Sequence, residues 1–230
     1  MDINSTFLLL QINDAYFPIG GYSHSYGLET YIQDGVVHDT DTAAEFILKK
    51  LKYNLCYNEL AFVKHAWECA NNGDLDKLKE LDDLAEAGKS PKEIREASQK
   101  LGSRFVKTVL NMDPPFLKDI FRDYVDARKG EPTHHAVAYG VLCAAAGVPL
   151  KDALECFLYS NTSNLVVTSV KTIPLSQTDG QKILISLYDT FGEIIERAME
   201  VPWEQIGLAS PGFDLRCMQH EVLYSRLYMS

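Results

Sequence analysis

The sequence predicts an all-α fold, a single compact domain over residues 1–230 with about nine or ten helices and no sheet. Three observations carry that expectation. Apolar residues recur at steps of three and four almost wherever a pattern exists, whereas strand-like alternation never lasts more than a few residues. Glycines and prolines punctuate the ends of those stripes. No repeat period or low-complexity linker divides the chain. A chain of 230 residues buries roughly 70% of the surface its unfolded form exposes, so a core needs neither disulfide nor metal.

Taken in order, Phe7 to Leu10 is an apolar run that follows Asp2, lacks a basic flank and ends at Asn13-Asp14, so it reads as neither a signal peptide nor a membrane span. Gly20-Gly21 reads as a tight turn feeding a helix that carries Glu29 and Tyr31, with Ser23 or Ser25 as its cap. The stripe Ala44, Ile47, Leu48, Leu51, Leu55 is preceded by Asp39-Thr40-Asp41-Thr42, which supplies capping side chains and early negative charge. Asp74 to Glu86, bracketed by Gly73 and Gly88, spaces Leu75, Leu78 and Leu81 as a surface helix does. Ser90-Pro91-Lys92-Glu93 has the outline of a capping box and opens a helix toward Asn111, stopped by Asp113-Pro114-Pro115. Further helices are expected over Phe116–Ala127, His134–Ala146, Asp179–Ala198 and Asp214–Tyr228. Between Pro149 and Pro174 the stripe Leu150, Ala153, Leu154, Phe157, Leu158, Leu165, Val166, Val170 predicts one long buried helix over 150–172. The valines and threonine of that last part are also good strand formers, which is the main threat to the helix.

The charge balance of 22 − 32 = −10 argues against a protein that neutralises phosphate backbones, so nucleic acid is not an expected partner. Five cysteines, Cys56, Cys69, Cys143, Cys156 and Cys217, form no C-x-x-C pair and suit a reducing, cytoplasmic setting.

Catalytic motifs are absent. There is neither a G-x-x-x-x-G-K-[ST] loop nor a G-x-G-x-x-G fingerprint, so no nucleotide phosphate is held by those devices. Ser23 lacks the glycine that a nucleophile elbow requires two residues on, and its neighbour His24 is badly placed to act as its base. No histidine falls in a zinc-protease pattern, and the adjacent His134 and His135 read as a surface cap and a core residue. Cys217 and His220, at i and i+3, are weak candidates for a soft or borderline cation, outweighed by a structural role for the thiol. The same pair is the only support for one alternative, an all-helical hydrolase with a cysteine nucleophile. A helical adaptor, supported only by the fold-level pattern, is a second alternative.

Residues 222–230 are unusual because Val222, Leu223, Tyr224, Leu227, Tyr228 and Met229 carry apolar and aromatic character to the last positions given. Such a segment should dock, either on its own core or in a partner's groove.

The motifs then resemble those of the urease accessory protein UreF family. Phe17-Pro18-Ile19-Gly20-Gly21-Tyr22-Ser23-His24-Ser25-Tyr26-Gly27-Leu28-Glu29 is similar to that family's N-terminal signature. Pro174-Leu175-Ser176-Gln177 resembles its P-L-G-Q segment, with Ser176 in place of glycine. Met218-Gln219-His220-Glu221 followed by Arg226-Leu227-Tyr228 resembles its M-x-H-E and R-L-[FY] close. Cys217 stands where the family often has serine, so no metal role is carried over to it. The resemblance implies a non-enzymatic helical protein that binds no cofactor tightly. It would form a homodimer, join UreD/UreH and recruit the GTP-binding GTPase UreG to apo-urease, with UreE as nickel donor and nickel handled by the assembled complex. It further implies that Met218, His220, Glu221, Arg226, Leu227 and Tyr228 bear on the UreD/UreH contact, and that Tyr22 to Glu29 forms a turn near a partner surface or in the core.

Overall fold

The segment His135–Ala145 is apolar all round, the pattern of a helix with no solvent face. The computed structural model, which describes residues 1–230, buries every residue of it from Ala136 onward. In chain order the helices are α1 (Ile3–Asn13), α2 (Leu28–Gln33), α3 (Thr40–Lys50), α4 (Ala61–Asn72), α5 (Leu75–Gly88), α6 (Lys92–Met112), α7 (Ile120–Ala127), α8 (His135–Ala145), α9 (Leu150–Thr172), α10 (Gln177–Ser186), α11 (Tyr188–Glu200) and α12 (Pro211–His220). A wider π-helical stretch, Leu51–Leu60, joins α3 to α4, so these make 11 continuous rods, and no strand is present.

Helix α8 packs chiefly on α4 and α6. A Cβ on Gly140 would lie 2.5 Å from the Val63 carbonyl, so only glycine lets the α8 and α4 backbones come this close. Around this pair lie α5, α7 and α9. Helix α1 is tied on by Ser5 Oγ donating to the Ala146 carbonyl at 2.6 Å and Asn13 Nδ2 donating to Tyr139 Oη at 2.9 Å.

The start signal at Asp39 is used as expected, capping α3 in a reciprocal box with Thr42, while α5, expected from its leucine spacing, is capped by Asp74. Helix α9 runs over the predicted 150–172 despite its β-branched residues. Thr162, Ser169 and Thr172 turn their hydroxyls back onto the carbonyls of Leu158, Leu165 and Thr168, at 2.7, 2.9 and 2.7 Å, so the buried donors of Thr162 and Ser169 and the half-buried one of Thr172 are satisfied within the helix.

Several expectations are corrected. Asp179–Ala198 is two helices, because the chain breaks at Leu187 between α10 and α11. Phe116–Ala127 shortens to α7, since Leu117 and Lys118 spend their N–H groups on the Pro114 and Ala145 carbonyls. The Ser90 capping box does not form: Pro91 occupies the cap position and brings no capping side chain of its own. Neither Ser23 nor Ser25 caps α2, whose N-cap is Gly27. His134 is buried instead of at the surface. Helix α1, which the apolar run Phe7 to Leu10 did not announce, is capped by Asp2 accepting from Ser5 N–H at 2.9 Å. The last predicted helix, Asp214–Tyr228, stops at His220, and the residues beyond it form turns.

A polar staple fixes the α5, α7 and α8 corner. Asp82, fully buried, accepts from Tyr124 Oη at 2.6 Å and from the His134 backbone N–H at 2.7 Å, with Arg128 Nε 3.6 Å away. Burial pushes the Asp82 carboxyl up to about 7 against those donors. Asp82→Asn keeps the shape but mismatches one donor, and should lower stability by about 1–2 kcal/mol in urea unfolding. An unchanged midpoint would show that the staple is idle.

Candidate interaction site

The N-terminal signature and the last ten residues meet. Phe17 is buried edge-on against Phe105, with ring centroids 5.8 Å apart, while Pro18 is exposed. Gly20 adopts φ +84° at the start of a short turn, Gly21–Ser23, whose Ser23 Oγ donates back to the Gly20 carbonyl at 2.8 Å. Tyr22 projects into solvent, but from His24 to Thr30 the chain is buried apart from half-buried Tyr26.

Gly27 explains why the signature needs glycine there. Its φ is +85°, and a Cβ would stand 2.8 Å from Cys217 Sγ and 3.4 Å from the Cys217 backbone nitrogen. Helix α12 therefore lies directly on the α2 entry turn. Thr30 Oγ1 reinforces the contact by donating to the Arg216 carbonyl at 2.9 Å.

The tail then runs back over this block. The Ser230 carbonyl accepts from the N–H groups of Ser25 and Tyr26 at 2.5 and 3.1 Å and from Ser25 Oγ at 2.7 Å. Met229 N–H donates to the Ser23 carbonyl at 2.9 Å. The His24 ring meets Ser230 Oγ at 2.8 Å, and burial together with Lys100 and Arg104 holds this imidazole down at about 4. Glu29, itself buried, accepts from Leu227 N–H at 2.6 Å and Tyr228 N–H at 3.3 Å.

His220 sits beneath, fully buried, with Nε2 3.1 Å from Glu29 Oε2 and Nδ1 2.7 Å from Glu93 Oε2. Glu93 also holds Arg226, and Glu221 accepts the Lys92 N–H at 3.1 Å. The residues singled out at the end of the chain thus divide into two sets. His220, Glu221, Arg226 and Tyr228 are engaged within the chain, whereas Met218 and Leu227 are exposed. Val222, Tyr224 and Met229 are exposed as well, with Tyr224 fully in solvent.

Pro174, Leu175 and Gln177 lie elsewhere, at the α9–α10 turn, and make no hydrogen bond to the tail or the signature block. Ser176 there has φ −77°, so no glycine is required; its hydroxyl caps α10 in a reciprocal box with Asp179.

Of the weak metal pair, Cys217 is buried against Gly27 and both ring nitrogens of His220 face carboxylates. No group of three His, Cys, Asp or Glu side chains is arranged to hold a metal ion. All five cysteines are free, and burial pushes every thiol up, Cys56 and Cys69 to about 11, so none carries the depressed value of an activated nucleophile. No helix is long and apolar enough to cross a membrane.

Sequence reasoning missed Glu93 and the role of Glu29. It also missed the environment of His135, whose Nε2 is the sole buried side-chain polar atom without a partner, beside a cavity also lined by Tyr26, Glu59 and Asn161. Burial holds His135 at about 4, as it does His24 and His134. These rings bind protons more readily when unfolded, so between pH 6.5 and 4 the unfolded state gains protons the fold refuses, and stability falls as pH falls. Asp82 titrates in the opposite sense from about 7 downward, so its carboxyl offsets part of that loss. Urea midpoints measured from pH 7 to 4.5 should decline, and a rise would contradict the three neutral buried imidazoles.

A model of the UreF family matches residues 37–188. The urease accessory protein UreF of Haemophilus influenzae (strain PittEE) is 37% identical over 222 residues, covering 96% of this chain and 94% of that protein. That of Actinobacillus pleuropneumoniae serotype 5b (strain L20) is 34% identical, covering 96% and 97%. That of Bacillus sp. (strain TB-90) is 31% identical over 228 residues, covering 99% of this chain and all of that protein. With relatives this similar along nearly their whole length, the chain belongs to the UreF family of urease accessory proteins.

Proposed function

We propose that this protein is a non-enzymatic scaffold in urease maturation. With UreD/UreH it recruits the GTPase UreG to apo-urease and regulates it, and nickel is the cargo of the assembled complex. GTP is bound by UreG, which accords with a chain that lacks phosphate-binding loops. The single observation that carries the reading is the tail, in a member of this family. Its backbone is clasped by Ser25 and Glu29 while Val222, Tyr224, Leu227 and Met229 are offered to solvent. Exposed aromatic and aliphatic side chains on an ordered backbone are good anchors, because little conformational entropy remains to be lost on binding.

On this reading Met218 and Leu227 touch UreD/UreH, while His220, Glu221, Arg226 and Tyr228 fix the shape presented to it. The protein acts as a homodimer in a reducing cytoplasm; the exposed stripe Ile3, Phe7 and Leu10 on α1 supports the former and five free cysteines the latter. The test is co-purification with UreD/UreH. Tyr224→Asp with Leu227→Asp should weaken the complex by about tenfold or more and leave the urea midpoint of the free protein unchanged. Arg226→Ala should weaken it too, through loss of tail order. Full retention of binding in both variants would sink the tail assignment.

A further inference from the structure

Two polar side chains with no partner line one internal chamber. His135 Nε2 is buried and makes no hydrogen bond. Lys50 is 7% exposed, and its ammonium rests over the Phe213 ring, 4.9 Å from the centroid, with neither a hydrogen bond nor an ion pair. Both residues line the same cavity of about 60 Å³, where the end of α3 and the helices α6, α8 and α9 come together. A buried ammonium is costly unless acceptors or an opposite charge complete its surroundings.

The acids of this region do not complete them. Glu59 is spent on Lys89 at 2.7 Å. Asp214 feels the Lys50 charge but forms no ion pair with it, and burial pushes its carboxyl up. The lining adds two further donors, the Asn54 amide and the Tyr26 hydroxyl, which keeps its proton because burial pushes the phenol up. Asn161 spends its own amide N–H on the Phe157 carbonyl at 2.8 Å and so brings an acceptor. The backbone is also unusual here. Tyr26 holds φ +52°, a conformation that bulky residues seldom adopt, and Asn54 and Glu59 lie on the π-helical stretch Leu51–Leu60. Departures of both kinds gather at ligand sites.

Size narrows the ligand. A single water needs about 10–15 Å³ of such space, so the chamber has room for about four non-hydrogen atoms. We propose that it is a binding site for a small planar oxyanion, a short carboxylate or bicarbonate, whose charge answers Lys50 and whose oxygens accept from Asn54, Tyr26 and His135. His135 takes part as its Nε2–H tautomer, which turns the unpartnered nitrogen into a donor. A second cavity of about 230 Å³, bounded by Tyr22, Tyr159 and Asn164, shares Tyr26, His135 and Asn161 with the chamber and gives the ion a way in. This inference stands on the chamber alone and is independent of the scaffold role.

The experiment is an NMR titration of the full, nitrogen-labelled chain at about pH 8 with sodium formate and, separately, sodium bicarbonate, beside sodium chloride at the same ionic strength. The His135 ring nitrogens and the Asn54 side-chain amide should shift and saturate at about millimolar oxyanion, because three or four atoms supply little binding energy. Chloride should leave them in place. Saturation by formate alone assigns a carboxylate, and saturation by bicarbonate alone assigns an ion whose hydroxyl donates to Asn161; either supports the site. Lys50→Met keeps the stem, removes the charge and should weaken binding about tenfold or more. His135→Phe keeps a ring, removes the donor and should weaken it as well, read at Asn54. Native α8 amide positions identify the variants that are folded. No saturating response to either oxyanion in the native protein, an equal response to chloride, or undiminished binding in the folded variants would overturn the proposal.

Discussion

Glu29→Ala is expected to be among the most damaging single changes in this molecule, lowering stability by about 3–4 kcal/mol and releasing the tail. The carboxylate is 6% exposed and accepts from two tail N–H groups as well as facing the His220 ring. Removing it leaves two tail N–H groups and one edge of the buried His220 ring without their partner, which costs more than the loss of any one hydrogen bond. Urea unfolding measures the first effect. Loss of protection at the Leu227 and Tyr228 amides, with α8 amides still protected below the transition, measures the second. A variant with native stability and a protected tail would show that Glu29 is an onlooker.

Gly27→Val should cost about 3–5 kcal/mol, because strain in the left-handed region adds to overpacking against α12. The two terms can be separated. Gly35 has φ +70° and nothing within 4 Å of where a Cβ would stand, so Gly35→Ala reports the backbone term alone, about 1 kcal/mol. Gly27→Ala should cost more than Gly35→Ala, and adding Cys217→Ala should recover part of the difference, since Sγ is the nearest atom to the new Cβ. Equal costs at Gly27 and Gly35 would mean that α12 gives way freely and that the glycine is there for the turn only.

What the sequence disclosed follows from how local each signal is. The ends of α9 were legible because Pro149 and Pro174 bound it, and α3 and α5 because Asp39 and Asp74 cap them through their own chain neighbours. The break at Leu187 was not legible, since apolar spacing continues through it. The end of α12 was not legible either: the N–H groups of Leu227 and Tyr228 go to Glu29, nearly two hundred positions away, and no window of sequence contains both. Glu93 looked like part of a capping box for the same reason. Its partners, His220 and Arg226, are brought to it by the packing of α12 and the tail against α6. The resemblance marked the three blocks but could not say that the first and third are halves of one structure while Pro174 and Gln177 stand apart.

As proposed above, this protein serves urease maturation as a scaffold and works through its tail. The most direct test of that role is co-purification of the intact chain with UreD/UreH and UreG, followed by nickel-dependent activation of apo-urease, beside a chain lacking residues 222–230. The intact chain should assemble and support activation, and the shortened chain, helical by circular dichroism, should do neither. An intact, folded chain that binds neither protein and activates no urease would contradict it.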